Sequence, residues 1–78
     1  MREEILHKLI DRTAKALNVD ASTLNENTVV ADLGLKSLEM AGIIASFEDD
    51  YDAYIKYTDF MHAKTIGEAA DILVKAVG

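Results

Sequence analysis

Apolar residues recur at intervals of three and four in three separate stretches of this chain, and that spacing restricts the fold more than any other feature. It is the period of an amphipathic helix with one buried stripe. No alternating run of β-branched residues exceeds a few positions, so the strand pattern is absent. The fold class is therefore all-α: a small four-helix bundle of three main helices and one short one, with a long loop between the first and second. At 78 residues the chain forms one domain spanning residues 1–78. A domain of this size buries only about 60–65% of its unfolded surface, so each helix must contribute its stripe to one small core.

The first stripe is Ile5, Leu6, Leu9, Ile10, Thr13, Ala14 and Leu17, predicting a helix over residues 3–17. Glu3 and Glu4 in its first turn and Lys15 in its last complement the helix dipole. Asn18 suits the left-handed position that ends a helix. The second stripe is Met40, Ile43, Ile44, Phe47 and Tyr51, predicting a helix over 37–51, with Leu38, Ala41 and Ala45 on a different face. Gly42 costs that helix about 1 kcal/mol relative to alanine, and close packing of another helix is one reason to keep it. Residues 53–64 are mixed; Thr58 is placed to cap a brief turn through His62. Thr65 and Glu68 have capping-box spacing, predicting a last helix to about Val77.

Between the first two helices, residues 18–36 are rich in turn and cap types: Asp20, Ser22, Thr23, Asn25, Asn27 and Thr28. Val29, Val30, Leu33 and Leu35 are apolar enough to anchor this loop on the core. Loops of such length in a compact domain are often functional. This one delivers Ser37, which reads as the N-cap of the second helix. A plain capping role is one reading of that serine.

The formal net charge of −6, from 14 acids against 8 Lys and Arg, disfavours nucleic acid and anionic membrane surfaces. It suits partners that present basic patches. No apolar run reaches the roughly 18 residues a membrane helix needs, and the helix pattern starts at once, so no signal peptide and a cytoplasmic monomer are expected. There is no cysteine, so any thiol chemistry needs a cofactor. His7 and His62 are isolated and lack the ligand spacing of a metal site. The acids at 48–52 lack the loop glycine and oxygen spacing of a calcium loop. Nothing supplies a base or an oxyanion site to Ser37, so no catalytic residue is assigned and no enzyme is expected.

The run Asp32-Leu33-Gly34-Leu35-Lys36-Ser37-Leu38, followed by a helix ending in acids, resembles the attachment site of the acyl carrier proteins. The resemblance covers nearly the whole chain in element order and length. It implies a phosphopantetheine arm joined to Ser37 as a phosphodiester by a phosphopantetheinyl transferase. It implies a non-catalytic carrier that holds acyl groups as thioesters for fatty-acid, lipid or polyketide-type synthesis. It also implies a partner-docking surface at Lys36, Leu38, Glu39, Ala41, Glu48 and Asp49, facing acyl-handling enzymes with basic patches. Carriers of this kind can shelter an acyl chain between their helices. Here that places the chain near Met40, Ile44, Phe47, Phe60 and Ile66, with Met40 and Met61 as flexible gap-fillers and Gly42 leaving space beside Ile43. Two residues depart from the family pattern: Lys36 stands where an aspartate usually precedes the serine, and Gly42 where an acid is common. A peptidyl or aminoacyl carrier, or a helical interaction module in which Ser37 is only a cap, are the other readings.

Overall fold

A computed structural model describes all 78 residues. Its elements run in the order α1 (Arg2–Leu17), a 3-10 turn (Ala21–Thr23), a second 3-10 turn (Val30–Leu33), α2 (Ser37–Tyr51), α3 (Tyr57–Met61) and α4 (Ile66–Val77). The predicted helices all form, and no β-strand does. One isolated antiparallel bridge joins Val29 to Thr65.

Helix α1 buries Ile5, Leu6, Leu9, Thr13 and Ala14 and lies chiefly against α4. It ends as its sequence predicts: Asn18 takes the left-handed conformation (φ 57°). Val19 N then donates back to Ala14 O at 3.0 Å, closing the end of the helix. Helix α4 contributes Ile66, Ala69, Ala70 and Leu73. Its start is fixed by Thr65, whose hydroxyl accepts from Glu68 N at 3.1 Å. Helix α2 buries Met40, Ile43, Ile44 and Phe47, the predicted stripe, with Tyr51 half-buried at its end. Phe47, Ile5, Leu9, Ile66 and Leu73 form the centre of the core.

Polar contacts at the α1–α2 seam complete the packing. Arg12 donates to Ser46 Oγ at 3.0 Å, ion-pairs with Asp50, and lies 4.5 Å from the Phe47 ring centre. Lys8 donates to the Tyr51 hydroxyl at 3.1 Å, which donates to Glu4 Oε1 at 2.9 Å. Two of the acids at the end of α2 are thereby engaged in the fold. Asp50 is paired, and Glu48 Oε2 accepts from Ile55 N at 2.9 Å, holding the chain as it leaves the helix.

The loop over 18–36 folds on its own polar groups. Asp20 Oδ1 accepts from Ser22 N at 2.9 Å, and Asn25 Oδ1 accepts from Asn27 N at 2.8 Å. Its buried anchor is Leu24, which the sequence reading passed over; Val30, Leu33 and Leu35 are half-buried, and Val29 faces solvent. Val29 is placed by its backbone: Val30 N donates to Lys64 O at 2.9 Å and Ile66 N to Thr28 O at 3.0 Å. The third stitch runs from Gly67 N to Glu26 O at 2.8 Å. A Cβ on Gly67 would lie 2.9 Å from that same oxygen, so this approach requires glycine.

Three local expectations change. Helix α3 starts after Lys56, and Thr58 is an exposed residue of its first turn instead of its cap. Met61 is exposed and fills no gap in the core. Gly42 meets no packed helix, since a Cβ there would have nothing within 4 Å, and it opens no space inside the protein.

Candidate functional site

Ser37 sits at the junction of the stitched loop and α2. The second 3-10 turn ends at Gly34, whose φ of 69° suits a residue without Cβ. Leu35 then turns inward, half-buried, while Lys36, Ser37 and Leu38 are all exposed. The N-cap of α2 is Lys36, and Ser37 is already the first helical residue, so Ser37 is not the cap its sequence context suggested. Lysine has no acceptor, and the helix start is held another way: Glu39 Oε1 accepts from Lys36 N at 2.9 Å. The amides of Ser37, Leu38 and Glu39 find no acceptor in the protein. The Ser37 hydroxyl likewise makes no protein hydrogen bond.

These are the conditions a phosphodiester on Ser37 requires. The oxygen that would bear it projects into solvent, and orphan N–H groups with the positive end of the dipole lie beside it. The Lys36 ammonium stem flanks the same position. The residues present therefore fit the group.

Leu38 is 86% exposed, an unusual cost for a leucine with no local partner. Spacings of three and four from it reach Ala41, Gly42, Ala45 and Asp49, and all of these are exposed. One face of α2 is thus small, apolar and open, with an acid at its far end. Glu39 and Glu48, the other acids expected to face partners, are half-buried and each holds a backbone N–H of this chain. Ala45 shares the face with Leu38 and Ala41 as its spacing predicts, and Gly42, which was not assigned to it, belongs to it too. Tyr57 was also missed: its hydroxyl lies 3.4 Å from Ser37 O, setting the start of α3 against the start of α2. No local signal marks it, because the two residues are 20 positions apart.

The apolar interior near this site is nearly full. The gap bounded by Leu33, Leu35, Ile43, Phe60 and Ile66 admits about 10 Å³, no more than one water. It brings together Phe60 and Ile66 of the residues expected to shelter an acyl chain. Met40, Ile44 and Phe47 are buried but lie outside its lining.

Charge elsewhere is local. Asp50 is held below the ordinary carboxylate value of 3.8 by its hydrogen bond from Arg12, and Lys8 is held above 10.5 by its bond to Tyr51. No group of three His, Cys, Asp or Glu is placed to hold a metal ion, and no helix is long and apolar enough to cross a membrane.

Comparison with known proteins agrees with the geometry. Residues 7–73 match the family described as "Phosphopantetheine attachment site". An acyl carrier protein of Thermotoga maritima is 28% identical over 99% of this chain and 96% of its own length. One from Porphyromonas gingivalis is 33% identical over 92% of this chain and 94% of its own. A bikaverin polyketide synthase of Gibberella fujikuroi is 29% identical over 88% of this chain, a match that spans 3% of that synthase.

Proposed function

Because the chain belongs to the phosphopantetheine-attachment family of non-catalytic carriers, we propose that Ser37 bears the arm and that the domain carries acyl groups between separate enzymes of lipid or polyketide-type synthesis. The observation that carries this reading is the exposed, unpartnered Ser37 hydroxyl at the start of α2, next to an exposed leucine. The prosthetic group supplies a thiol, which this cysteine-free chain lacks, for holding acyl groups as thioesters. Ser37 contributes the anchoring oxygen. The free amides of Ser37, Leu38 and Glu39, together with Lys36, favour an anion at that position. Gly34 and the loop's backbone bonds to α4 hold the serine outward.

The α2 face of Leu38, Ala41, Gly42 and Ala45, bordered by Asp49, is the surface on which the transferase and acyl-handling enzymes dock. Leu38 is its anchor, and Asp49 steers basic partners more than it holds them. A saturated acyl chain finds shelter by prising apart Leu33, Leu35, Phe60 and Ile66, since the gap between them is too small to receive it unopened. The protein works as a cytoplasmic monomer. The test is acyl loading: the arm-bearing protein, offered an activated acyl donor, gains one acyl mass that hydroxylamine removes, and Ser37→Ala gains none. Acyl mass that resists hydroxylamine, or that persists in Ser37→Ala, contradicts the reading.

A further inference from the structure

An open cleft lies between the α2–α3 connection, α3 and α4. Its volume is about 530 Å³, and Ile55, Ile72 and Ala76 form its apolar floor. Lys56, His62 and Lys75 line it, opposed by one acid, Asp59. Neither lysine is in an ion pair, which is true also of Lys15, Lys36 and Lys64, but these two share one apolar cleft. A chain with a net charge of −6 thus keeps two free cations over an apolar floor. We propose that this cleft receives carboxylate-ended acyl groups borne on the arm at Ser37, a proposal that rests on the attachment read above.

Reach permits it. Lys56 directly precedes Tyr57, whose hydroxyl lies 3.4 Å from Ser37 O. One tyrosine side chain and one residue step, about 3.8 Å between Cα atoms, separate the attachment point from the cleft's edge. An extended phosphopantetheine arm is longer than that. The interior offers such a cargo no alternative, since its gap is lined by Leu33, Ile43, Phe60 and Ile66. An unpaired carboxylate there would be strongly disfavoured. In the cleft the methylenes cover Ile55 and Ile72 while the carboxylate meets Lys56 and Lys75. Apolar and carboxylate-ended cargoes would then rest in different places on one carrier. Asp59 disfavours a carboxylate but not enough to cancel two lysines, and it makes an ammonium-ended cargo the informative competitor.

The experiment loads isotopically labelled protein with arms ending in succinyl, butyryl or β-alanyl groups, each joined by a hydrolysis-proof amide. Intact mass first establishes loading on Ser37; if none occurs, the attachment reading fails and this proposal falls with it. Once loading is established, the succinyl form should shift the amide resonances of Ile55, Lys56, Ile72 and Lys75, and the butyryl form should leave them near their unacylated positions. In Lys75→Gln, and in Lys56→Gln with Lys75→Gln, the succinyl shifts should fall to the butyryl level while the circular dichroism stays unchanged. Succinyl shifts confined to residues around Ser37, or matched by butyryl, overturn the proposal. Larger cleft shifts with β-alanyl also overturn it, because they would assign the cleft to Asp59 and an ammonium group.

Discussion

Alanine in place of Gly67 and alanine in place of Gly42 should move stability in opposite directions. Both glycines lie within helices, and helix propensity alone favours alanine at an interior position by up to about 1 kcal/mol. At Gly42 nothing opposes that gain, because an added Cβ meets no atom within 4 Å. Gly42→Ala should therefore stabilise by about 1 kcal/mol, raising Tm by about 4–8 °C in a domain of this size. At Gly67 the same Cβ would lie 2.9 Å from Glu26 O and 3.1 Å from Glu26 Cβ. Both neighbours are pinned, since Glu26 O already accepts from Gly67 N at 2.8 Å. The loop must move, at an overpacking cost of about 1–3 kcal/mol, and that backbone bond, worth about 0.5–1.5 kcal/mol, weakens. Against a smaller propensity gain in the first turn, Gly67→Ala should lose about 1–3 kcal/mol net. Thermal and urea unfolding of the two variants beside the parent measure both. Because the same loop delivers Ser37, Gly67→Ala should also slow its modification. A Gly67→Ala protein as stable as Gly42→Ala would show that residues 26–30 yield freely and that the loop is not held by α4. A Gly42→Ala protein that loses stability would mean that its helix face is covered.

Leu38→Ala should change stability by no more than about 0.5 kcal/mol, as for an exposed side chain, yet slow acyl transfer to a partner enzyme; a large fall in Tm with transfer spared would make Leu38 a core residue. Lys36→Asp places an acceptor at the N-cap of α2 and should stabilise the unmodified protein by about 1 kcal/mol, measured by thermal unfolding. The same change should speed modification by a transferase that grips an acid before the serine, and equal rates would remove Lys36 from partner selection. Asp50 has its folded-state value depressed by Arg12, so its contribution is present above the unfolded value near 3.8 and is lost as pH falls through the lower folded value. Acid unfolding of Asp50→Asn should show a weaker loss of stability below about pH 4 than the parent, and superimposable profiles would mean that the Arg12 pair adds nothing.

The helices and the exposed start of α2 were legible in the sequence because both are written locally: stripes of three and four, and a polar glycine-containing loop ending at Ser37. What was not legible depends on residues far apart in the chain. Gly42 and Gly67 look alike in sequence, but only Gly67 faces a backbone oxygen, from Glu26. Glu48 reads as a docking acid until Ile55 N is found against it, and nothing near Asp50 in the sequence announces its partner Arg12, 38 positions away. Val29 reads as an anchor, yet its backbone makes the bridge to Thr65 while its side chain faces solvent. The shift of the N-cap from Ser37 to Lys36 is a matter of one residue, and it leaves the Ser37 hydroxyl without a hydrogen bond in the protein.

A carrier role for this protein depends most directly on where one prosthetic group is attached. The protein is co-expressed with a broad-specificity phosphopantetheinyl transferase, and its intact mass and fragment spectra are read. The expected result is a single phosphopantetheine per chain, located on Ser37 and missing from Ser37→Ala. A protein that stays unmodified in the presence of an active transferase, or that carries the group on Ser22 or Ser46, would contradict it.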